Sequence, residues 1–159
     1  HPNFSKVPNN FQESWFLYKA FLALVFPQTR IRDIKHQDYF IFSFYSKDKL
    51  GHNISILILQ FLYLLKKKDY EQLNSKEETF RKYADTYLKN PYSKRSYYIF
   101  KLMLCIIRVD FDRAKSIEKG KSWIEKLRNT PEPGDAFSNV EIVPYERLWE
   151  VMLGYLGDK

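Results

Sequence analysis

The sequence has little of what staples, bends or coordinates. Its 159 residues include one cysteine, three histidines and five glycines. A lone cysteine cannot form an internal disulfide. Cys105 lies in the apolar run IFKLMLCII and reads as a small buried hydrophobe, because a reactive thiolate needs an electropositive, accessible setting that nothing nearby supplies. His36 and His52 have no second ligand at i+3 or i+4, and Asp38 beside His36 does not converge with it on one helix face. Glycine-rich phosphate loops, nucleophile elbows and paired cysteines are absent. Asp110, Asp112 and Glu118 are close in sequence, but carboxylates do acid–base work only when a cleft shifts their pKa values. The simpler reading puts Asp110 and Asp112 at the start of a helix, where acids are favoured. We therefore expect no catalytic residue, no cofactor and no metal site.

Two further absences concern the environment. No stretch reaches the roughly 20 apolar residues of a membrane span. The most apolar run, residues 54–65, is interrupted by Ser55 and Gln60 and ends in three lysines. No small-residue cleavage site follows it, so it is not a signal peptide. We expect a cytoplasmic chain with no membrane span. The scarcity of glycine argues against a β-sandwich, which needs frequent tight turns.

What the chain does have is large rings. There are 13 Phe, 12 Tyr and 3 Trp, with 45% hydrophobic and 28% charged residues overall. That is the composition of a globular domain, and this length can bury a core without disulfides or metals. The net charge is +7. Residues 66–101 hold 10 basic and 5 acidic side chains, whereas residues 102–159 hold 9 and 10. The basic field is therefore centred on the middle of the chain, where it can attract nucleic acid, an anionic surface or an acidic protein.

Residues 1–10, with Pro2 and Pro8, read as an arm, and residues 11–159 as one domain. The start at His1 reads as the cut edge of a longer protein. Asn10 and Glu13 have capping-box spacing. Trp15, Tyr18, Leu22 and Val25, broadened by Phe11, Phe21 and Leu24, form the apolar stripe of a first helix that ends at Pro27. Ile31 and Ile34 fit a short helix, while Phe40, Phe42 and Phe44 alternate as a strand would. We expect the short helix, then an extended connection with residues 46–49 exposed.

Residues 53–88 read as a helical hairpin. Its first helix is apolar nearly all round and should be central. Lys66, Lys67 and Lys68 fall at its C-terminal end, where they complement the helix dipole. Ser75 and Glu78 form a candidate cap for the second helix, with Phe80, Tyr83, Ala84, Tyr87 and Leu88 as its stripe. A second hairpin over 93–128 carries Tyr97, Ile99, Phe100, Met103, Leu104 and Ile107, then Ala114, Ile117, Trp123, Ile124 and Leu127. Residues 130–134 break the chain, residues 140–143 read as extended, and Pro144 opens a closing helix over about 144–156.

Asp69-Tyr70 and Asp110-Phe111 lie 41 residues apart, and the same shift places Ile58 on Ile99, Leu59 on Phe100, Leu62 on Met103 and Leu65 on Ile106. A helix–turn–helix period near 40 marks a stack of hairpins, each covering its neighbour's apolar face. DYEQL at 69–73 and DFDRA at 110–114 resemble the inter-helix turn of tetratricopeptide repeats. Ala114 matches that family's small position, Leu73 does not, and the family's first-helix tryptophan, leucine-glycine and tyrosine positions are unmatched. The resemblance is to a divergent repeat and covers residues 53–128. The whole chain also resembles the C-terminal part of uncharacterised helical proteins of Bacteroidetes-type bacteria. The expected fold is all-α, a right-handed α–α solenoid of about five to six helices.

The candidate partner surface is basic and aromatic. Arg95, Lys94, Tyr98, Arg81 and Lys82 are its principal residues, with Lys89, Tyr92 and Tyr97 around them. Snorkelling cations around packed tyrosines give the same composition. Lys94 and Arg95 stand at a helix N-terminus, where the dipole prefers acids, so Arg95 is either a ligand contact or one half of a tertiary salt bridge. These features imply a non-catalytic protein-interaction or scaffold module, a fragment of a larger bacterial protein, whose groove is lined by the first helix of each hairpin and takes a protein or acidic peptide. Nucleic-acid binding through the basic centre is the alternative.

Overall fold

The computed structural model describes residues 9–26, 28, 34–40, 50–132 and 140–157, without the side chains of residues 9–13, 36 and 50. The described residues form six α-helices: α1 (Asn9–Val25), α2 (Leu50–Lys67), α3 (Tyr70–Tyr87), α4 (Lys94–Arg108), α5 (Arg113–Arg128) and α6 (Tyr145–Leu156). Single 3-10 turns lie at His36–Phe40 and Pro91–Ser93. There is no strand among the described residues, and the protein is all-α. The strand-like alternation fails at Phe40, which sits in the first 3-10 turn. Phe42, Phe44, Pro27, the short helix at Ile31 and residues 46–49 lie outside the described residues. No helix among the described residues is long and apolar enough to cross a membrane.

α2 is the central element. Every residue from 53 to 65 is buried, and the helix touches α1, α3, α4 and α6. Each large aliphatic side chain buried in this way contributes about 1.5–3 kcal/mol. The two polar interruptions are buried too. Ser55 Oγ donates to Gly51 O at 3.2 Å and is 3.1 Å from Val140 O, which ties α2 to the segment ahead of α6. At the far side, the Tyr155 hydroxyl donates to Leu24 O and joins α6 to α1.

The two hairpin turns share one construction without glycine. After α2, Lys68 N–H reaches Leu65 O and Asp69 N–H reaches Leu64 O, each at 3.0 Å. After α4, Asp110 and Phe111 reach Ile107 O and Ile106 O, again at 3.0 Å. These paired bonds close a helix through a left-handed residue, here Lys68 at φ 57° and Asp110 at φ 55°. The second turn holds one more residue, Phe111 at φ 58°. The helix caps are therefore Asp69, accepting from Gln72 N, and Asp112, accepting from Lys115 N. Asp110 is not a helix start but the end of α4. The aromatics of the two turns meet directly, with Tyr70 and Phe111 stacked at 4.1 Å and 11°.

Other expectations are corrected. α3 starts at Tyr70, so Ser75 is not a cap; its hydroxyl donates to Gln72 O inside the helix. α1 starts at Asn9, one residue before the expected cap. The inward face of α1 is Leu17, Ala20, Phe21, Leu24 and Val25, while Trp15, at 56% exposed, Tyr18 and Leu22 face outward. Phe21, Leu24 and Val25 of the expected stripe face inward, and Trp15, Tyr18 and Leu22 do not, because α1 is apolar on two faces. α5 shows the same mixture: Ala114 and Ile117 are exposed, and Ser116, Gly120, Ile124 and Leu127 are buried. The close approach assigned to Ala114 occurs at Gly120, where an added Cβ would stand 3.0 Å from both Leu102 Cδ2 and Trp149 Cζ2.

Lys68 and Asp110 are exposed and hold a conformation that costs an L-residue free energy. Lys68→Gly and Asp110→Gly should each raise stability by about 0.5–1 kcal/mol, and Lys68→Ala should not. Urea denaturation, read at constant m-value, measures both.

Candidate functional site

The N-terminus of α4 is where chain segments converge. Asn90 Oδ1 accepts from the backbone of Tyr92 and Ser93 at 3.0 Å each, setting the Pro91–Ser93 turn that leads into α4. That turn sends Lys94 outward and Arg95 inward. Arg95 is 5% exposed. Its Nε donates to Glu141 Oε2 at 2.9 Å, and Nη2 donates to Glu141 Oε1 at 2.7 Å and Glu146 Oε2 at 2.8 Å. Nη1 donates to the carbonyls of Leu127 and Thr130, both at 2.9 Å. A guanidinium has five N–H donors, and all five are engaged. The unfavourable dipole at the start of α4 is answered by two carboxylates and by the electronegative end of α5.

The electrostatics follow from this geometry. The Glu141 hydrogen bonds hold the Arg95 guanidinium above its already high ordinary pKa, against the opposing pull of burial. Burial works to raise the Glu146 carboxyl, but the Arg95 hydrogen bond and charge outweigh it and hold Glu146 below the ordinary value of 4.5. Glu141 Oε1 also accepts from Tyr145 N at 2.8 Å, capping α6. Behind it, the Tyr145 hydroxyl meets Ser96 Oγ at 3.0 Å, and burial pushes the Tyr145 phenol well above its usual range.

Beside this network runs an open groove of about 400 Å³. Pro91, Tyr92, Lys94 and Tyr98 form one side, and Asn129, Thr130, Pro131 and Glu132 the other. Tyr92 is 67% exposed. Tyr98 is supported from behind by Trp123, at 6.0 Å between ring centroids, and the Lys126 ammonium lies 4.4 Å over the Trp123 ring.

The structure brings Lys94, Arg95 and Tyr98 together and leaves Arg81 and Lys82 elsewhere. Lys94 and Tyr98 line the groove, whereas Arg95 forms its floor with every donor already used. Arg81 and Lys82 lie on α3, both paired with Glu78, at 2.6 Å and 3.4 Å. Hydrogen bonds from Arg81 hold the Glu78 carboxyl down at about 2. A groove lined by the first helix of each hairpin is not open at α2, whose residues 53–65 are all buried. Sequence reasoning missed Glu141, Glu146 and Thr130. The available signal was two carboxylates flanking Pro144 in a chain that also places an arginine at a helix start.

The remaining polar residues do not converge. Asp112 caps α5, Glu118 is exposed, and Asp110 closes α4. Burial raises the half-buried Cys105 thiol, against the opposing effect of Arg108, Lys101 and Lys119. Among the described residues no group of three or more His, Cys, Asp or Glu could hold a metal ion. Comparisons of the chain with protein-family models, with curated proteins and with solved structures return no match.

Arg95→Met leaves the buried Glu141 carboxylate and the part-exposed Glu146 carboxylate without their cation and should cost about 3 kcal/mol, the low end for a broken buried pair; adding Glu141→Gln and Glu146→Gln should recover part of it. The pH dependence has a definite sign. Folding lowers the Glu146 pKa, so the folded chain binds fewer protons than the unfolded chain just below pH 4.5. The stability contributed by this pair is complete above that value and is lost as the pH falls through the lowered pKa. Urea titrations between about pH 3 and 6 should show a shallower acid limb for Arg95→Met than for the parent.

Proposed function

We propose that this chain is a non-catalytic, cytoplasmic protein-interaction module, a short right-handed stack of tetratricopeptide-like hairpins serving as a scaffold within a larger bacterial protein. The hairpin reading is supported by the shared turn construction at Lys68 and Asp110 and by the Tyr70–Phe111 stack, which packs one turn on the other. It is also supported by the packing of α2 with α4 and of α4 with α6. The contact of α2 with α6 reaches past the intervening α4–α5 hairpin and counts against an open superhelix, whose repeats touch only their neighbours.

The observation that carries the function is the groove beside Arg95. It offers one cation, Lys94, next to the rings of Tyr92 and Tyr98 and two prolines, on a floor fixed by five hydrogen bonds. A rigid floor with aromatic walls suits a short extended peptide that places a carboxylate on Lys94 and an apolar side chain between the tyrosines. Lys94 forms no ion pair among the described residues. The nucleic-acid reading has less support on the aromatic surface, because Arg95 lies inside the fold and Arg81, Lys82, Lys89 and Lys101 each face a carboxylate of α3; Lys66, Lys67 and Lys68, exposed at the end of α2, are what it retains.

A displayed library of short peptides, panned against the chain, should return acidic sequences with a neighbouring apolar residue. Lys94→Glu and Tyr98→Ala should each weaken the selected peptide about tenfold, the effect of roughly 1.4 kcal/mol. Arg81→Glu with Lys82→Glu should leave it unchanged. No selected peptide, or equal losses from the α3 pair, would remove the reading. Retention on heparin that falls steeply with salt would favour nucleic acid instead.

A further inference from the structure

Positive charge is also concentrated on α5, although residues 102–159 as a whole are close to neutral. α5 carries six basic and two acidic side chains. Both acids are spaced to meet particular lysines. Glu118 and Glu125 stand at i−3 and i+4 from Lys121, and Glu118 stands at i+3 from Lys115, the spacings at which helical side chains are neighbours. Lys115 also faces Asp112 at 3.8 Å. Lys119 and Lys126 have no carboxylate at i±3 or i±4, and both are exposed. Neither forms an ion pair among the described residues.

These two lysines flank Trp123, and residues 119, 123 and 126 share one side of the helix. That side meets α4. Trp123 packs on Tyr97 and Tyr98, at 6.2 and 6.0 Å between ring centroids, and Lys119 O lies 3.8 Å from Cys105 Sγ, further along α4. Tyr98 also lines the peptide groove. The surface therefore continues from the groove past Tyr98 and Trp123 as a positive strip, with Lys94 at its start, Lys126 next and Lys119 at its far end. α4 holds no carboxylate that would neutralise it. The Lys126 ammonium is held 4.4 Å over the Trp123 ring. Lys101, bonded to Asp85 at 3.3 Å, lies 4.8 Å over the Tyr97 ring.

We propose that the partner of the groove is a longer acidic segment, whose cluster of carboxylates beyond the groove docks on Lys126 and Lys119. This rests on the peptide reading of the groove. Lys119 and Lys126 are separated by about 10 Å of helical rise, and an extended chain advances about 3.3 Å per residue, so a run of about four acidic residues meets both. Charge selects an anion, and the rings select its kind. A single-stranded nucleic acid stacks its bases on aromatic faces, but lysines already lie over Trp123 and Tyr97. A carboxylate needs only the ammonium. Lys126, already ordered by its ring, gives up little freedom on pairing.

The test uses the full chain and the peptide selected on the groove, labelled for fluorescence anisotropy. That parent peptide is compared at low salt with forms carrying a Gly-Gly spacer and four glutamates, or four glutamines, at either end. One glutamate form should bind about tenfold more tightly than the parent peptide, the effect of two exposed ion pairs at low salt, and the glutamine forms should show no gain. Lys119→Gln with Lys126→Gln should abolish the gain and leave the parent peptide unchanged. Lys82→Gln with Lys121→Gln, an equal change of net charge, should keep it. If the parent peptide does not bind, the groove reading and this extension of it fall together. The extension alone is overturned if the parent peptide binds but no glutamate form gains, if the gain survives Lys119→Gln with Lys126→Gln, or if the control pair also removes it. It is likewise overturned, in favour of nucleic acid, if a short oligothymidylate binds more tightly than the glutamate form and depends on the same two lysines.

Discussion

The fold depends on how one buried guanidinium is satisfied. Arg95 sits where helix physics disfavours a cation, and the cost is offset only because three other chain segments arrive with acceptors. Those segments are the end of α5, the connection ahead of α6 and the first turn of α6. Replacing a buried ionic network with apolar side chains is often neutral in stability, so its main contribution is positional. It fixes how far α5 runs before the chain turns, and where α6 begins. It also decides which of two adjacent cations faces solvent: with Arg95 held inside, Lys94 must point out, into the groove.

The rest of the architecture follows from a chain that turns without glycine. Lys68 and Asp110 take the left-handed position in the two hairpins, and an aspartate caps each following helix. Phe111 is the added residue of the second turn, and its ring lies flat on Tyr70. The insertion shifts the register of the repeat, so that the left-handed residues lie 42 apart and the caps 43 apart instead of 41, and it places Phe111 against Tyr70. Gly120 serves a different purpose, giving α4 and α6 room to close on α5 through Leu102 and Trp149.

Much of this was legible. The all-helical class, the α2–α3 and α4–α5 hairpins and the closing helix after Pro144 follow from periodicity and punctuation, because long amphipathic segments state their type clearly. Faces were less legible where helices carry apolar residues on more than one side, as at Trp15 and Tyr18, or where the inward residues are small, as at Ser116 and Gly120. Periodicity weighs side-chain size and hydrophobicity, and a glycine that permits close contact carries neither. The site was half legible. The dipole conflict singled out Arg95, but its partners lie 46 and 51 residues away in sequence, and no local pattern reports a bond over that span.

The three tryptophans fall in three different surroundings. Trp15 is open to water on α1, Trp123 lies half-buried beneath the Lys126 ammonium, and Trp149 is sealed against Gly120. An indole's emission shifts to longer wavelength with the polarity around it, so the native spectrum is a sum of a solvated, an intermediate and a shielded emitter. The chain thus carries its own optical gauge, in which loosening of the α5–α6 contact moves the blue component while events on the outer face of α1 register only at the red edge.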